Sequence, residues 1–258
     1  MGRLAGKVAL VVGGGSGIGR ASALAFGREA ARVAIGDLNS GLAHEAAELT
    51  GGDALPLAMD VTREETVAEA VATVMNRFGR IDMLVNCAGG SARGDTNVAE
   101  VDMALWQPTM DVDVRGTLLT CRHVIPHMVH QGGGSIVNMS SWAGLNGTAP
   151  KHIYVAAKGA VISLTRAIAG EYARAGIRAN VICCGPVRTE RSQSNAAKNL
   201  AADPNSPLER KRKMLAEAYP FSIGDPDDVA NIVLFLASDE SRMITAAAIP
   251  ADGGRSAF

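Results

Sequence analysis

Tyr154 and Lys158 stand four residues apart in the helical stretch Tyr-Val-Ala-Ala-Lys, which sets a phenol and an ammonium on one helix face. A phenol held beside a fixed cation can give and take a proton, so the pair suits general acid–base work. Thirteen residues upstream, Ser140-Ser141 ends the strand-like run Ser-Ile-Val-Asn-Met and offers hydroxyls at the strand edge where α/β folds gather ligands. Any helix can carry Tyr-x-x-x-Lys, so the pair acquires meaning only from what accompanies it.

What accompanies it is a nucleotide pattern. Gly13-Gly-Gly-Ser-Gly-Ile-Gly19 follows an apolar strand and opens a helix, and Asp37 closes the next strand. Turns also collect glycine, but the strand before, the helix after and the acid beyond make this run specific for a dinucleotide. Glycine lets a pyrophosphate approach the backbone, and the helix start favours the anion. Asp37 is placed to accept hydrogen bonds from the adenosine ribose. Its carboxylate also opposes a 2′-phosphate by several kcal/mol at ~5 Å and an effective dielectric near 20. Neither Ser16 nor Leu38, the flanking positions where a cation could compensate, is basic, so the expected cofactor is NAD rather than NADP.

The elements that must position these groups alternate almost without break. Expected strands are Lys7–Val12, Arg32–Asp37, Asp53–Met59, Asp82–Asn86, Gly134–Ser140, Ile177–Cys183 and Ala248–Pro250. Expected helices are Ser16–Ala30, Ser40–Leu49, Arg63–Phe78, Val101–Gln131, Ile153–Ala175 and Asp227–Ala237. Continuous apolar strands such as Val-Ala-Leu-Val-Val imply helices on both faces. The expected fold is α/β, a single-domain Rossmann-type doubly wound parallel sheet of about seven strands. The polar segment 188–223 breaks the rhythm and reads as a substrate-binding loop or lid over that one domain. Its basic run, Glu209-Arg-Lys-Arg-Lys213, reads as a solvated face.

Composition excludes other classes. Hydrophobic residues make up 47% of the 258, and 25 Lys and Arg balance 26 Asp and Glu, a net charge of −1. That removes the electrostatic signature of a nucleic-acid or polybasic membrane-surface protein. No stretch approaches the ~18–20 apolar residues of a membrane span, and the short apolar run Val8–Val12 is no signal peptide, so no membrane partner and a cytoplasmic location are expected. Cys87, Cys121, Cys183 and Cys184 lack Cys-x-x-Cys spacing and read as reduced thiols, with Cys87 and Cys121 as small core residues. His123, His127 and His130 lack a completing Glu or Cys and are interrupted by Pro126, so no metal is expected.

Taken as a set, these motifs resemble the short-chain dehydrogenase/reductase family in its basic single-domain form, from Leu4 to Gly254. The resemblance includes Asp60-Val61, an adenine contact in the family. It also includes Asn86-Cys-Ala88-Gly89 beside the cofactor, Asn180…Gly185-Pro186-Val187…Thr189 on the nicotinamide and phosphate side, and Asp252-Gly-Gly254. It implies Tyr154 as general acid/base and Ser141 as the hydroxyl that holds the substrate oxygen. Lys158 is implied to bind the nicotinamide ribose and to lower the tyrosine pKa. Gly13, Ser16, Gly17, Ile18, Gly19, Asp37 and Leu38 form the adenosine and pyrophosphate side. One cation ~6 Å away stabilises a phenolate by roughly 3 kcal/mol at a dielectric of 20. Lysine together with the positive oxidised nicotinamide suffices, and lysine alone is marginal. The family also implies a homotetramer built on the two long helices, with the tail after Gly254 able to reach a neighbour.

Four positions depart from the pattern. Val12 replaces a threonine, Cys87 an asparagine and Cys184 a proline. At the fourth, Asp113 in Val112-Asp-Val-Arg-Gly116 stands where the family has a catalytic asparagine whose backbone carbonyl holds a water. Asp113 is expected to pair with Lys158 or Arg115, or to raise the apparent pKa of turnover, or to be a neutral change at a tolerant helix position. Trp142, beside Ser141, either lines the substrate pocket or packs its loop, and Gly89–Gly94 borders the same pocket. The leading function is NAD-dependent interconversion of a secondary alcohol and a ketone. Aryl or cyclic alcohols, polyols, sugar acids and steroids all stay open as substrates. The alternatives are a 3-oxoacyl-type reductase, or a catalytically weak nucleotide-sensing scaffold suggested by the departures.

Overall fold

The computed structural model describes residues 2–146, 150–203, 210, 213, 214, 217, 221 and 223–257. Seven parallel strands form one sheet: β1 Val8–Val12, β2 Arg32–Asp37, β3 Leu55–Ala58, β4 Met83–Asn86, β5 Gly134–Ser141, β6 Ile177–Cys184 and β7 Ala248–Ala251. Their order is β3-β2-β1-β4-β5-β6-β7. The chain therefore reverses direction across the sheet between β1 and β4, and a crevice opens at the carboxyl ends of those strands.

All five residues of β1 are buried because the sheet is covered on both sides. One face packs under α1 (Gly17–Arg28), α2 (Ser40–Thr50) and α8 (Pro226–Ala237), with Phe26, Ala43 and Val233 in its core. The other packs under α3 (Glu64–Phe78) and α5 (Gly116–Gln131), with Val67, Val74, Val124 and Met128. The helix α6 (His152–Tyr172) lies against β5 and β6 and buries Ala157, Lys158, Val161 and Thr165.

The expected helix Val101–Gln131 is in fact composite. A 3₁₀ turn at Met103–Leu105 leads into α4 (Trp106–Met110), then a π-turn at Asp111–Arg115, then α5. A π-turn inserts one extra residue, and such insertions gather at functional sites; here it carries Asp113. The helix runs through Pro126 rather than breaking there, giving up one backbone donor. By length and composition His152–Ala175, with mean hydropathy 1.3, would pass for a membrane span. The expectation that no stretch approaches a membrane span therefore fails by that measure, since Lys158 and Arg166 interrupt the apolar residues without lowering the helix's mean hydropathy enough. Packed on the sheet, it is a core helix.

Within 188–223 the structure shows α7 (Glu190–Ala202). Residues 204–209, 211 and 212, and with them most of the expected basic run, lie outside the described residues. The C-terminal tail folds back on its own chain: Asp252 accepts from the Gly254 and Ser256 N–H groups, and Arg255 lies 4.9 Å over the Trp142 ring.

Candidate active site

The strand ends open into a cleft of about 480 Å³. Of the catalytic and cofactor residues expected from sequence, all but Asn86, Asp113, Asn180 and Pro186 line it, from Asp37, Leu38, Asp60 and Val61 at one end to Ser141, Tyr154 and Lys158 at the other. Trp142 does not line it; with Arg255 stacked on its ring it packs the loop.

At the first end, β1 delivers the chain into the glycine loop. A side chain at Gly19 would strike the Gly13 carbonyl, so only glycine lets the loop double back tightly against the start of α1. Ser16, at the α1 N-cap, has extended backbone and makes no capping bond. The Asp37 carboxylate accepts from the Gly15 N–H (2.9 Å) and the Asn39 N–H (2.9 Å), tying the loop to the end of β2. The neighbouring Leu38 is 76% exposed and brings no charge. The donors at the head of α1 already hold an anion from within the chain. The Glu190 carboxylate, from α7, accepts from the Gly17 N–H at 3.2 Å and pairs with Arg20. A helix start that attracts a carboxylate suits a pyrophosphate by the same electrostatics.

At the other end, α6 presents Tyr154 and Lys158. Its first turn is fastened by Asp95, whose two oxygens accept from the Ile153 (3.2 Å) and Tyr154 (2.9 Å) N–H groups. The Lys158 ammonium lies 5.5 Å from the Tyr154 ring centre. It donates to Asp113 Oδ1 at 2.6 Å and to the Met139 carbonyl at 3.3 Å. Both partners of the ion pair are buried, at 1% exposure for Asp113 and 5% for Lys158. Desolvation works against the Lys158 charge, but the carboxylate of Asp113 and the Tyr154 side chain together outweigh it and raise its pKa. Of the two partners expected for Asp113, the structure shows Lys158; Arg115 donates instead to the Thr62 carbonyl.

The loop after β4 presses on this pair. The Gly90 N–H donates to Asp113 Oδ1 at 3.0 Å, and Gly89, at φ 144°, sits where a side chain would collide with that same oxygen. Asp113 Oδ2 is buried with no hydrogen-bond partner among the described residues. The Asp113 backbone carbonyl accepts the Thr117 hydroxyl at 2.9 Å.

The two serines divide their work. Ser140 Oγ donates to the Lys158 carbonyl at 2.9 Å and so pins α6 to β5. Ser141 Oγ accepts from the Ala143 N–H (3.2 Å) and reaches the Cys184 carbonyl only at 3.5 Å. Ser141 is the less committed hydroxyl.

Residues expected beside the cofactor but set behind the cleft wall have structural partners. Asn86 donates to Asn138 (2.8 Å) and accepts from Thr120 (2.7 Å), bracing β4 against β5 and α5. Asn180, fully buried, ties β6 to Ile244 and Ala247. The Pro186 carbonyl accepts from the Gly224 N–H.

All four cysteines are free thiols. Cys121 is buried as expected, whereas Cys87 is half-buried and lines the cleft. Burial pushes Cys87 and Cys121 up to about 12 and Cys183 to about 11, and raises Cys184 as well. His123 pairs with Glu64 at 3.1 Å.

Sequence reasoning missed Asp95, Glu190 and Arg191. Glu190 and Arg191 follow directly on the expected Thr189, but they stood in a segment legible only as polar.

Residues 13–256 match a family model described as enoyl-(acyl carrier protein) reductase. The chain is 38% identical over 260 residues to 2-(S)-hydroxypropyl-CoM dehydrogenase 3 of Xanthobacter autotrophicus, covering 99% of each. It is 35% identical over 257 residues to the 3-oxoacyl-(acyl-carrier-protein) reductase FabG of Thermotoga maritima, covering 98% of each. The crystal structure of levodione reductase superposes with a TM-score of 0.89 at 31% identity, over 98% of this chain and 99% of that one.

Proposed function

This chain belongs to the short-chain dehydrogenase/reductase family, whose members are nicotinamide-dependent oxidoreductases, and from that premise we propose that it interconverts a secondary alcohol and a ketone with NAD. The observation that carries the proposal is the shared cleft: Asp37 and the glycine loop at one end, Ser141, Tyr154 and Lys158 at the other.

The dinucleotide, when bound, supplies the hydride acceptor or donor at its nicotinamide ring. Gly13, Ser16, Gly17, Ile18 and Gly19 would cradle its phosphates, Asp37 its adenosine ribose, and Asp60, Val61, Ala88, Val187 and Thr189 its remaining surfaces. Ser141 Oγ orients the substrate oxygen. Tyr154 takes the hydroxyl proton during oxidation and returns it during reduction. Lys158 keeps a positive charge beside the phenol. Asp113 holds Lys158 in place from behind and partly offsets its charge.

Asp37 without a cation at Leu38 favours NAD over its 2′-phosphorylated form. The resemblance to FabG keeps a 3-oxoacyl thioester among the substrates to be tried, although Asp37 opposes the NADPH such reductions ordinarily use. Segment 188–223, with α7 as its described part, acts as the lid on a single catalytic unit. The outward face of α5, where Leu118 and Val129 are exposed, together with α6, is the surface on which a homotetramer would assemble, and the four free thiols suit the cytoplasm.

A panel of secondary alcohols, with 3-oxoacyl thioesters in the reverse direction, read at the NADH absorbance with NAD and NADP compared, tests the reading. Turnover with NAD that exceeds NADP at least tenfold is expected. Tight NADH binding with no turnover anywhere on the panel would favour a nucleotide sensor.

A further inference from the structure

Arg191 lines the substrate end of the cleft and Lys151 meets it at Ser91, and among the described residues no acid forms an ion pair with either. Arg191, in the first turn of α7, lines the cleft and reaches across it. Its Nη1 donates to the Gly89 carbonyl at 3.1 Å and its Nη2 to the Ser91 carbonyl at 3.0 Å. Lys151 precedes α6, three residues before Tyr154, and its Nζ donates to the Ser91 hydroxyl at 2.9 Å. Both side chains therefore meet at one residue. Among the described residues neither has a carboxylate within ion-pair distance.

The nearby acids are engaged elsewhere. Glu190, next to Arg191 in sequence, is turned to Arg20 and the Gly17 N–H. Asp95 has both oxygens on the first turn of α6. Desolvation lowers the pKa of Lys151; Asp95 pulls it back up, and Arg191 pushes it further down, so the two cations feel each other as their shared contact implies.

Their position relative to the chemistry is close. A Cβ at Gly90 would lie 2.5 Å from Arg191 Nη1, and one at the adjacent Gly89 would lie 3.1 Å from Lys158 Nζ. The guanidinium thus stands one residue along the same loop from the catalytic ammonium. Neutral carbonyls and a hydroxyl satisfy the directions of these donors but leave their charge unbalanced. An oxyanion gains charge-assisted bonds there that a neutral group cannot.

We infer that Arg191 and Lys151 form a subsite for an anionic oxygen group on the substrate, of the carboxylate class, carried away from the carbinol carbon. The inference rests on the reading of Tyr154 as the acid/base, and it makes the substrate a hydroxy acid rather than a neutral alcohol.

Matched pairs test it: 4-(1-hydroxyethyl)benzoate against 1-(4-methylphenyl)ethanol, and 3-hydroxybutanoate against 2-butanol, with NAD. In wild type, at least one acid should exceed its neutral partner about tenfold in kcat/KM. Arg191→Gln and Lys151→Gln should each cut that preference at least threefold, chiefly through KM, and added salt should weaken it. Equal rates within both pairs, or a preference that survives the double variant, would overturn the subsite. Failure of every alcohol to turn over would count against the catalytic reading instead. The subsite would then be judged by the melting temperature of the NAD-loaded protein with 4-acetylbenzoate against 4-methylacetophenone. An acid-specific rise lost in the double variant supports it, and equal shifts overturn it.

Discussion

Replacing Asp113 by Asn removes one buried charge while keeping the side chain's shape, and its consequences can be worked from the ion pair. The carboxylate lies 2.6 Å from the Lys158 ammonium, which lies 5.5 Å from the Tyr154 ring centre. Charges ~8 Å apart interact by ~2 kcal/mol at an effective dielectric near 20, and about 1.4 kcal/mol corresponds to one pH unit. Without Asp113, negative charge on the phenol is opposed less, so the rise of kcat/KM with pH in alcohol oxidation should move down by about 1.5 units. Lys158 loses the main partner that raises its pKa against desolvation, so the alkaline decline should move down as well. The fold weakens too. An Asn Oδ1 can still accept from Lys158 and Gly90, but its amide nitrogen takes the place of the unpartnered Oδ2, and an unpaired buried amide costs about 2 kcal/mol. For a chain of this size that lowers Tm by about 4 °C. Because the folded pKa of Lys158 is raised, the pair's stabilisation is complete below the ordinary lysine range and is lost as pH rises through the raised value. The variant, lacking the partner that raises this pKa, should therefore lose less stability than wild type as pH rises above the ordinary lysine range. The assays are kcat/KM against pH and thermal melts across the same range. A profile within ~0.2 unit of wild type, with an unchanged Tm, would refute the reasoning.

Other outcomes follow from single contacts. Glu190→Gln removes the chain's own anion from the head of α1, so the NAD dissociation constant from fluorescence titration should fall about fivefold; a weaker affinity would contradict the electrostatic reading of that helix start. Asp37→Ser combined with Leu38→Arg should raise the NADP-to-NAD ratio of kcat/KM at least about tenfold, and an unchanged ratio would detach Asp37 from cofactor choice. Gly89→Ala forces a side chain onto Asp113 Oδ1 at a backbone angle disfavoured for alanine. It should cost about 3 kcal/mol by denaturant melts.

Much of this was legible in the residues because local signals and global fold agree. The buried apolar strand, the glycine run and Asp37 each specify the same βαβ unit, and four-residue spacing alone aligns Tyr154 with Lys158. What escaped was tertiary. Nothing local shows that Asp95 reaches across 58 positions to fasten the start of α6, or that Asp113 chooses Lys158 over Arg115 two residues away. The π-turn was hidden because an inserted residue leaves helical composition unchanged. Glu190 and Arg191 acquire their meaning only once α7 lies over the cleft, which the polar sequence from Arg188 onward does not reveal.

The most direct test of the whole account is a single-turnover measurement on Tyr154→Phe, with enzyme in excess over a secondary alcohol that wild type oxidises and with NAD saturating. Loss of the phenol hydroxyl should slow NADH formation about 10²–10⁴-fold while NAD still binds with wild-type affinity. NADH formation at the wild-type rate would contradict the assignment of proton transfer to Tyr154.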